Sequence, residues 1–298
     1  MSDRITFVGH ATVLLELGGS RLLTDPVLRP RMLGVIHREA EQPPRQVTED
    51  IDAILLSHLH HDHLDFPSLK LLDRDTPVLV PAGAARTLRR RGFANAIELE
   101  PGESTAVGDV RLTATRAVHE GRRFKFGPRV EAAGYVAEAG GRRVYFAGDT
   151  DLFDEMDELA GRIDVALLPI AGWGPRLGPG HLNPTSAAQA AARIRPRVVI
   201  PIHWGTLIRR DMRRQLIAAA ELDPLRGRVV GGDPAHDQLA RGGLVRPLGR
   251  RRLLAVGLVA QPVLYRDQVD EDGRDHEQDE QRQDQSSGGH AGQLRSTN

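Results

Sequence analysis

The segment Ser57-His58-Leu59-His60-His61-Asp62-His63-Leu64-Asp65 gathers four histidines and an aspartate within six residues, from His58 to His63. Imidazole and carboxylate at that density point to a bound cation. A cluster of half-charged imidazoles without a partner is costly, and a divalent ion removes the cost by turning neutral imidazoles and carboxylates into ligands. The chain has no cysteine, so thiolate zinc sites, iron–sulfur clusters and disulfides are excluded, and any metal must be held by nitrogen and oxygen. Three further candidates each close a strand-like run: His119 after Thr115-Arg116-Ala117-Val118, Asp149 after Phe146-Ala147-Gly148, and His203 after Ile200-Pro201-Ile202. A solvated histidine-rich turn explains the first cluster alone but not this joint pattern.

The elements around these residues decide whether they can meet. Residues 53–56, directly before the cluster, form a short continuous apolar run, as in a strand covered on both faces. Upstream, 5–8, 13–17 and 21–24 read as a meander of short strands, the last two joined by Gly18-Gly19. Helices are predicted over 66–72 and 84–91, the second stopped by Gly92, with a strand at 78–80 between them. From 97 to 146 the signals are mostly β, with a hairpin of 134–137 and 143–146 around Gly140-Gly141. Beyond it, helices at 153–159, 184–194 and 211–221 alternate with strands at 165–170 and 198–202, Asn183 and Pro184 marking a helix start. Two β-rich stretches, each followed by helices, predict an α/β protein built as an αββα sandwich. Catalytic groups in such folds sit on loops at the carboxyl ends of strands, where this cluster falls.

Composition narrows the partners. The 298 residues carry 40 basic and 40 acidic side chains and 4% aromatics, which gives no electrostatic or stacking basis for binding nucleic acid. The N-terminus lacks the apolar core of a signal peptide, and the longest apolar run, 253–265, is interrupted by Gln261 and Pro262 and is too short to cross a bilayer. The expectation is a cytoplasmic protein without an integral membrane segment; assembly into a homo-oligomer is left open. Domain organisation is expected as one domain over 1–250, an extension over 251–266, and a polar tail over 267–298. The tail has too few apolar residues to offset ordering entropy and is expected to be disordered, its His276 and His290 incidental.

His58-Leu59-His60-His61-Asp62-His63 resembles the HxHxDH signature of the metallo-β-lactamase-fold hydrolases, and His119, Asp149 and His203 match that superfamily's remaining ligand positions in order. Gly9-His10-Ala11-Thr12, Thr24-Asp25-Pro26-Val27 and His203-Trp204-Gly205-Thr206 are similar to the branch containing L-ascorbate-6-phosphate lactonase and N-acyl-phosphatidylethanolamine-hydrolysing phospholipase D. The resemblance spans roughly 4–235. It implies two divalent metal ions, zinc first with manganese or iron as alternatives. His58, His60 and His119 would hold one, Asp62, His63 and His203 the other, and Asp149 would bridge them, with His61 at a variable position. A hydroxide bridging the ions would be the nucleophile. Asp62 and Asp149, with His181 as a contact to substrate or proton donor to a leaving group, would form the catalytic set, and Asp25 would either orient a ligand histidine or simply shape a turn before Pro26.

The implied site has two dications against two aspartates and one hydroxide, which favours a small anionic substrate. The expected activity is hydrolysis of a phosphodiester or phosphorylated metabolite; the alternative is a lactonase or amidohydrolase opening a cyclic ester or amide. A nuclease is disfavoured because no basic arm is evident, and a non-enzymatic binder because the ligand set is complete. His10 is expected to pack in the core, with a place beside the cluster as the alternative, and Arg122-Arg123-Phe124-Lys125-Phe126 to form a solvated basic loop, with contact to an anion as the alternative. Trp173 and Trp204 could either wall the pocket or fill core space.

Overall fold

The computed structural model describes residues 3–124, 127, 129–172 and 178–209. The helix expected at 211–221, the domain end at 250, the extension, the tail, Trp173, Lys125 and Phe126 lie outside the described residues. Along the chain, β1 (Arg4–Gly9), β2 (Thr12–Leu17) and β3 (Ser20–Thr24) form the expected antiparallel meander. A short hairpin, β4 (Arg31–Met32) and β5 (Ile36–Arg38), follows. Then β6 (Ala53–Leu55), α1 (Phe66–Leu69), β7 (Val78–Pro81), α2 (Ala85–Arg89) and β8 (Ala96–Leu99) alternate, with β3, β6, β7 and β8 parallel. The second half begins with antiparallel β9 (Ser104–Val107), β10 (Val110–Glu120), β11 (Glu131–Ala139) and β12 (Arg142–Phe146). Parallel strands β13 (Val165–Pro169) and β14 (Val198–Ile202) extend it on either side of α3 (Pro184–Ile194), and β15 (Leu207–Arg209) pairs back with β5.

These strands make two six-stranded sheets, β1-β2-β3-β6-β7-β8 and β14-β13-β12-β11-β10-β9, and a small β15-β5-β4 sheet. Side-chain alternation, with period two along each strand, sorts the apolar residues into layers. Leu15, Leu22, Leu55 and Leu79 of the first sheet meet Leu112, Tyr135, Phe146 and Leu167 of the second in one central core. Their sequence neighbours Leu14, Leu23, Ile54 and Val78 point the other way, onto Leu69 and Leu72 near α1 and Ala85 and Leu88 of α2. On the far side, Tyr145, Ala166 and Leu168 pack against Ala187, Ala190 and Ile194 of α3. The layering is αββα.

Local boundaries differ from expectation in physical ways. Asp65 caps α1 by accepting from Ser68 N–H at 3.1 Å, but the chain tightens straight after it through Leu71 N→Ser68 O and Leu72 N→Leu69 O bonds, so the α-helix stops at Leu69. The segment Asp154–Leu159 is a 3₁₀-helix rather than an α-helix. The small sheet was not anticipated, because its strands have two or three residues each and β15 lies far along the chain from β5. Among the described residues no helix is long and apolar enough to cross a membrane.

Candidate metal centre

Four loops and one strand end deliver the polar side chains to one edge of the sandwich. His10 sits in the β1–β2 turn, residues 58–63 follow β6, His119 is near the end of β10, Asp149 follows β12 and His203 follows β14. Several backbones are held in the left-handed region: His10 at φ 57°, Asp25 at 32° and His203 at 63°. Non-glycine residues adopt it rarely, and persist there only when their surroundings over-determine them. Gly148, at φ +61°, shows how close the approach is, since a Cβ there would lie 2.4 Å from Ser57 Cβ. Only glycine lets the strand end carrying Asp149 come so near the histidine loop.

The donor atoms fall into two adjacent groups. In the first, His60 Nδ1 lies 2.9 Å from His58 Nε2 and 3.1 Å from His119 Nε2. In the second, His63 Nε2 lies 3.1 Å from His203 Nε2 and 3.7 Å from Asp62 Oδ2, with His203 Nε2 3.4 Å from the same oxygen. Asp149 faces both groups: Oδ2 is 3.9 Å from His58 Nε2 and 3.1 Å from His63 Nε2, and Oδ1 is 3.4 Å from His203 Nε2. His181 Nε2 stands 3.4 Å from Asp149 Oδ2, on a side chain 19% exposed.

The outer nitrogens fix which ring atom faces inward. His119 Nδ1–H donates to the Gly180 carbonyl at 2.8 Å, and His203 Nδ1–H to the Ala171 carbonyl at 2.6 Å. Because carbonyls only accept, each neutral ring presents an Nε2 lone pair to the cluster. Asp25 does the same for His63, whose Nδ1–H it accepts at 2.6 Å. Asp25 also accepts from Ser57 N–H at 2.7 Å and from Ser57 Oγ–H at 2.5 Å. With its one hydrogen given to Asp25, Ser57 Oγ can only accept from His58 Nδ1 at 2.9 Å, which turns the His58 Nε2 lone pair inward as well. One carboxylate thus contacts a ring of the second group directly and a ring of the first through Ser57 Oγ.

Electrostatics follow from burial. His58 and His60 are pushed below the ordinary imidazole range, burial being the main cause. Burial also draws His119 down to about 4 and, with His203 adding repulsion, His10 to about 3. His63 goes the other way: burial opposes its charge, but Asp149, Asp62 and Asp25 outweigh it and hold the ring well above its usual value. Burial likewise opposes ionisation of Asp62 and Asp149, yet the histidines, His63 on Asp62 and His203 with His63 on Asp149, hold both carboxyls well below the usual range. Buried negative charge therefore gathers among imidazoles, an environment that favours cations.

Three observations test the fit to metal ions. Asp149 Oδ1 is buried and has no hydrogen-bond partner among the described residues. The donor set is all imidazole and carboxylate, in compact groups whose atoms lie within 4.8 Å of one another. A tetrahedral cation with ligands at about 2.0–2.1 Å spaces neighbouring ligand atoms about 3.3–3.4 Å apart, within about half an ångström of the 2.9–3.1 Å nitrogen separations in these groups. The residues fit.

Other sequence expectations resolve differently. His61 lies outside these groups, its ring 5.6 Å from that of Phe124. Arg123 is neither solvated nor turned to an anion: it donates to the carbonyls of Leu59 at 3.1 Å and Leu64 at 2.7 Å, bracing the histidine loop, and stacks over Phe66. Arg122 pairs with Glu120 at 2.6 Å. Trp204 is 43% exposed, so it does not fill the core. His10 is buried, and of its two expected places it takes the alternative one beside the cluster, its Nε2 3.1 Å from Asp62 Oδ2; its place in a glycine-led turn does not by itself separate the two roles.

Residues 20–204 match the family described as the beta-lactamase superfamily domain. A metal-dependent hydrolase of Opitutus terrae is 35% identical over 213 residues, 68% of this chain and 85% of that protein. The chain belongs to this superfamily and is a metal-dependent hydrolase. More particularly, it is 32% identical over 225 residues to the N-acyl-phosphatidylethanolamine-hydrolyzing phospholipase D 1 of Caenorhabditis elegans, a match covering 67% of this chain and 63% of that protein. Among solved structures, a metallo hydrolase from the archaeon Ignicoccus hospitalis shares the fold at 23% identity and a TM-score of 0.52, covering 74% of this chain and 92% of the other. A diiron β-hydroxylase from Streptomyces venezuelae shares it at 23% and 0.54, covering 68% and 45%.

Proposed function

We propose that this chain is a dinuclear hydrolase of a small anionic substrate, a phosphodiester or phosphorylated metabolite. His58, His60 and His119 would hold one ion, Asp62, His63 and His203 the other, with Asp149 shared. The observation that carries this reading is the position of Asp149, with one carboxylate oxygen facing both histidine groups. Bound divalent ions, zinc first with manganese or iron as alternatives, would polarise the substrate and lower the pKa of a bound water towards neutral.

The chain's own residues do the rest. Asp25 and Ser57 keep the ligand lone pairs aimed inward, and the Gly180 and Ala171 carbonyls do so for His119 and His203. His181 is the proton donor to the leaving group. Burial lowers its affinity for a proton, but Asp149 outweighs that and raises it, so the ring stays charged to a higher pH than a free imidazole. Two dications against Asp62 and Asp149 leave excess positive charge, which favours an anion. The name of the Caenorhabditis elegans relative, a hydrolase of a phosphodiester lipid, supports the same class.

The test is a hydrolysis screen on protein loaded in turn with zinc, manganese and iron, setting bis-p-nitrophenyl phosphate against lactones and nitrocefin. Phosphodiester turnover that disappears in Asp149→Ala is expected. Turnover retained by that variant overturns the shared-ligand reading, and preference for a lactone overturns the substrate class.

A further inference from the structure

The β1–β2 turn meets the metal centre through one residue that the ligand set does not include. His10 is buried, 1% exposed. Its Nε2 lies 3.1 Å from Asp62 Oδ2, and its ring centroid is 4.0 Å from that of His203. A carboxylate only accepts, so the hydrogen of this contact belongs to His10 Nε2 and the ring donates. The other ring nitrogen, Nδ1, has no hydrogen-bond partner among the described residues. A buried histidine that leaves one nitrogen unmatched to satisfy a carboxylate is placed for that carboxylate.

The main chain of the same residue grips the opposite loop. His10 N–H donates to Thr206 Oγ1 at 2.7 Å, and His203 N–H donates to the His10 carbonyl at 2.8 Å. Asp62 follows a strand of the first sheet and His203 follows a strand of the second. These are the two halves of one donor group, and His10 is bonded to both. Its backbone lies in the left-handed region, φ 57°, which a non-glycine residue keeps only where its surroundings hold it.

We propose that His10 is a positioning residue for the ion of the Asp62–His63–His203 group: its ring fixes the Asp62 carboxylate while its backbone fixes the loop of His203. The inference rests on the dinuclear reading above. Asp62 Oδ2 has lone pairs for both a cation and the His10 hydrogen, so the contact survives loading and restricts the rotamer in which the carboxylate can ligate.

The experiment is a competition titration of zinc against a chromophoric chelator, on wild type, His10→Phe and His10→Gln, with circular dichroism to check folding. Outer hydrogen bonds of this kind set metal affinity by about 10- to 100-fold. The expected result is a Kd for the more weakly held ion raised by that factor in His10→Phe, the other Kd unchanged, and recovery of most of the loss in His10→Gln, whose amide restores a donor. If His10→Phe does not fold, His10→Met, apolar and unbranched, is titrated in its place. Equal weakening of both ions, wild-type affinities in the apolar variant, or no recovery with glutamine would overturn the inference while leaving the dinuclear reading intact. Failure of the wild type to bind two ions would overturn both.

Discussion

Asp25→Asn isolates the orienting network with almost no change of shape. The carboxylate accepts three hydrogens: from Ser57 N–H at 2.7 Å, Ser57 Oγ–H at 2.5 Å and His63 Nδ1–H at 2.6 Å. Asparagine tolerates the left-handed backbone at this position, so the fold is kept. Its amide, however, offers an accepting oxygen on one side only. With that oxygen on Ser57 N–H, the amide hydrogens face His63 Nδ1 and Ser57 Oγ, and the His63 proton is driven to Nε2, where a cation would bind. The direct bond is charge-assisted and worth about 1.5–3 kcal/mol, or about 10- to 150-fold in affinity for the ion on His63. The effect on His58 is relayed through a neutral hydroxyl and is worth about 0.5–1.5 kcal/mol, or about 2- to 10-fold. The assay is the zinc competition titration, with Ser57→Ala beside it, which removes the relay to His58 and spares the His63 contact. Two Kd values within twofold of wild type in Asp25→Asn, or a larger loss at His58 than at His63, would refute the orienting argument.

Acidification should empty the two positions in order. His58, His60 and His119 are pushed below the ordinary range, His119 to about 4, so protons compete less with their ion as pH falls. His63 is raised, so protons compete with its ion from neutral pH downwards. Metal content after dialysis at stepped pH should fall from two equivalents to one before it falls to zero; a single step would contradict this. Gly148→Ala adds a Cβ 2.4 Å from Ser57 Cβ at a left-handed backbone, and is expected to cost about 2–4 kcal/mol, read as a drop of about 5–15 °C in Tm. Arg123→Met orphans the Leu59 and Leu64 carbonyls and should lower stability by about 1–3 kcal/mol in denaturant titration, without raising KM for an anionic substrate; a raised KM would return Arg123 to a substrate-binding role.

The layering of the fold was legible because the apolar runs at 53–56, 78–80 and 165–170 are short, continuous and bounded by turn residues, a pattern that survives without knowledge of tertiary partners. The 58–63 segment stood out because its side chains are adjacent in sequence. The convergence of His119, Asp149 and His203 with it rested on their each closing a strand. What sequence did not carry was direction. His10 stands between a core role and one beside the cluster until Asp62 is seen 3.1 Å away, and Arg123 reads as a surface charge until its carbonyl partners are known. The β15-β5-β4 sheet is held by the apolar contact of Val27, Met32, Ile36 and Leu207 rather than by any local periodicity. Helix ends were lost for the same reason, since the tightening after Leu69 depends on main-chain bonds rather than on residue type.

The donor groups draw on both sheets, and that joint origin reaches far beyond the rim where they meet. The seam between Leu15, Leu22, Leu55 and Leu79 on one side and Leu112, Tyr135, Phe146 and Leu167 on the other sets how the sheets are staggered. A core packed this closely transmits a volume change rather than absorbing it, so an altered side chain deep in that seam would be felt by the loops at the edge. On the proposed ligand set, a swapped side chain at Leu167, remote from the donor atoms, is expected to weaken metal retention as well as stability, read by metal content and Tm together.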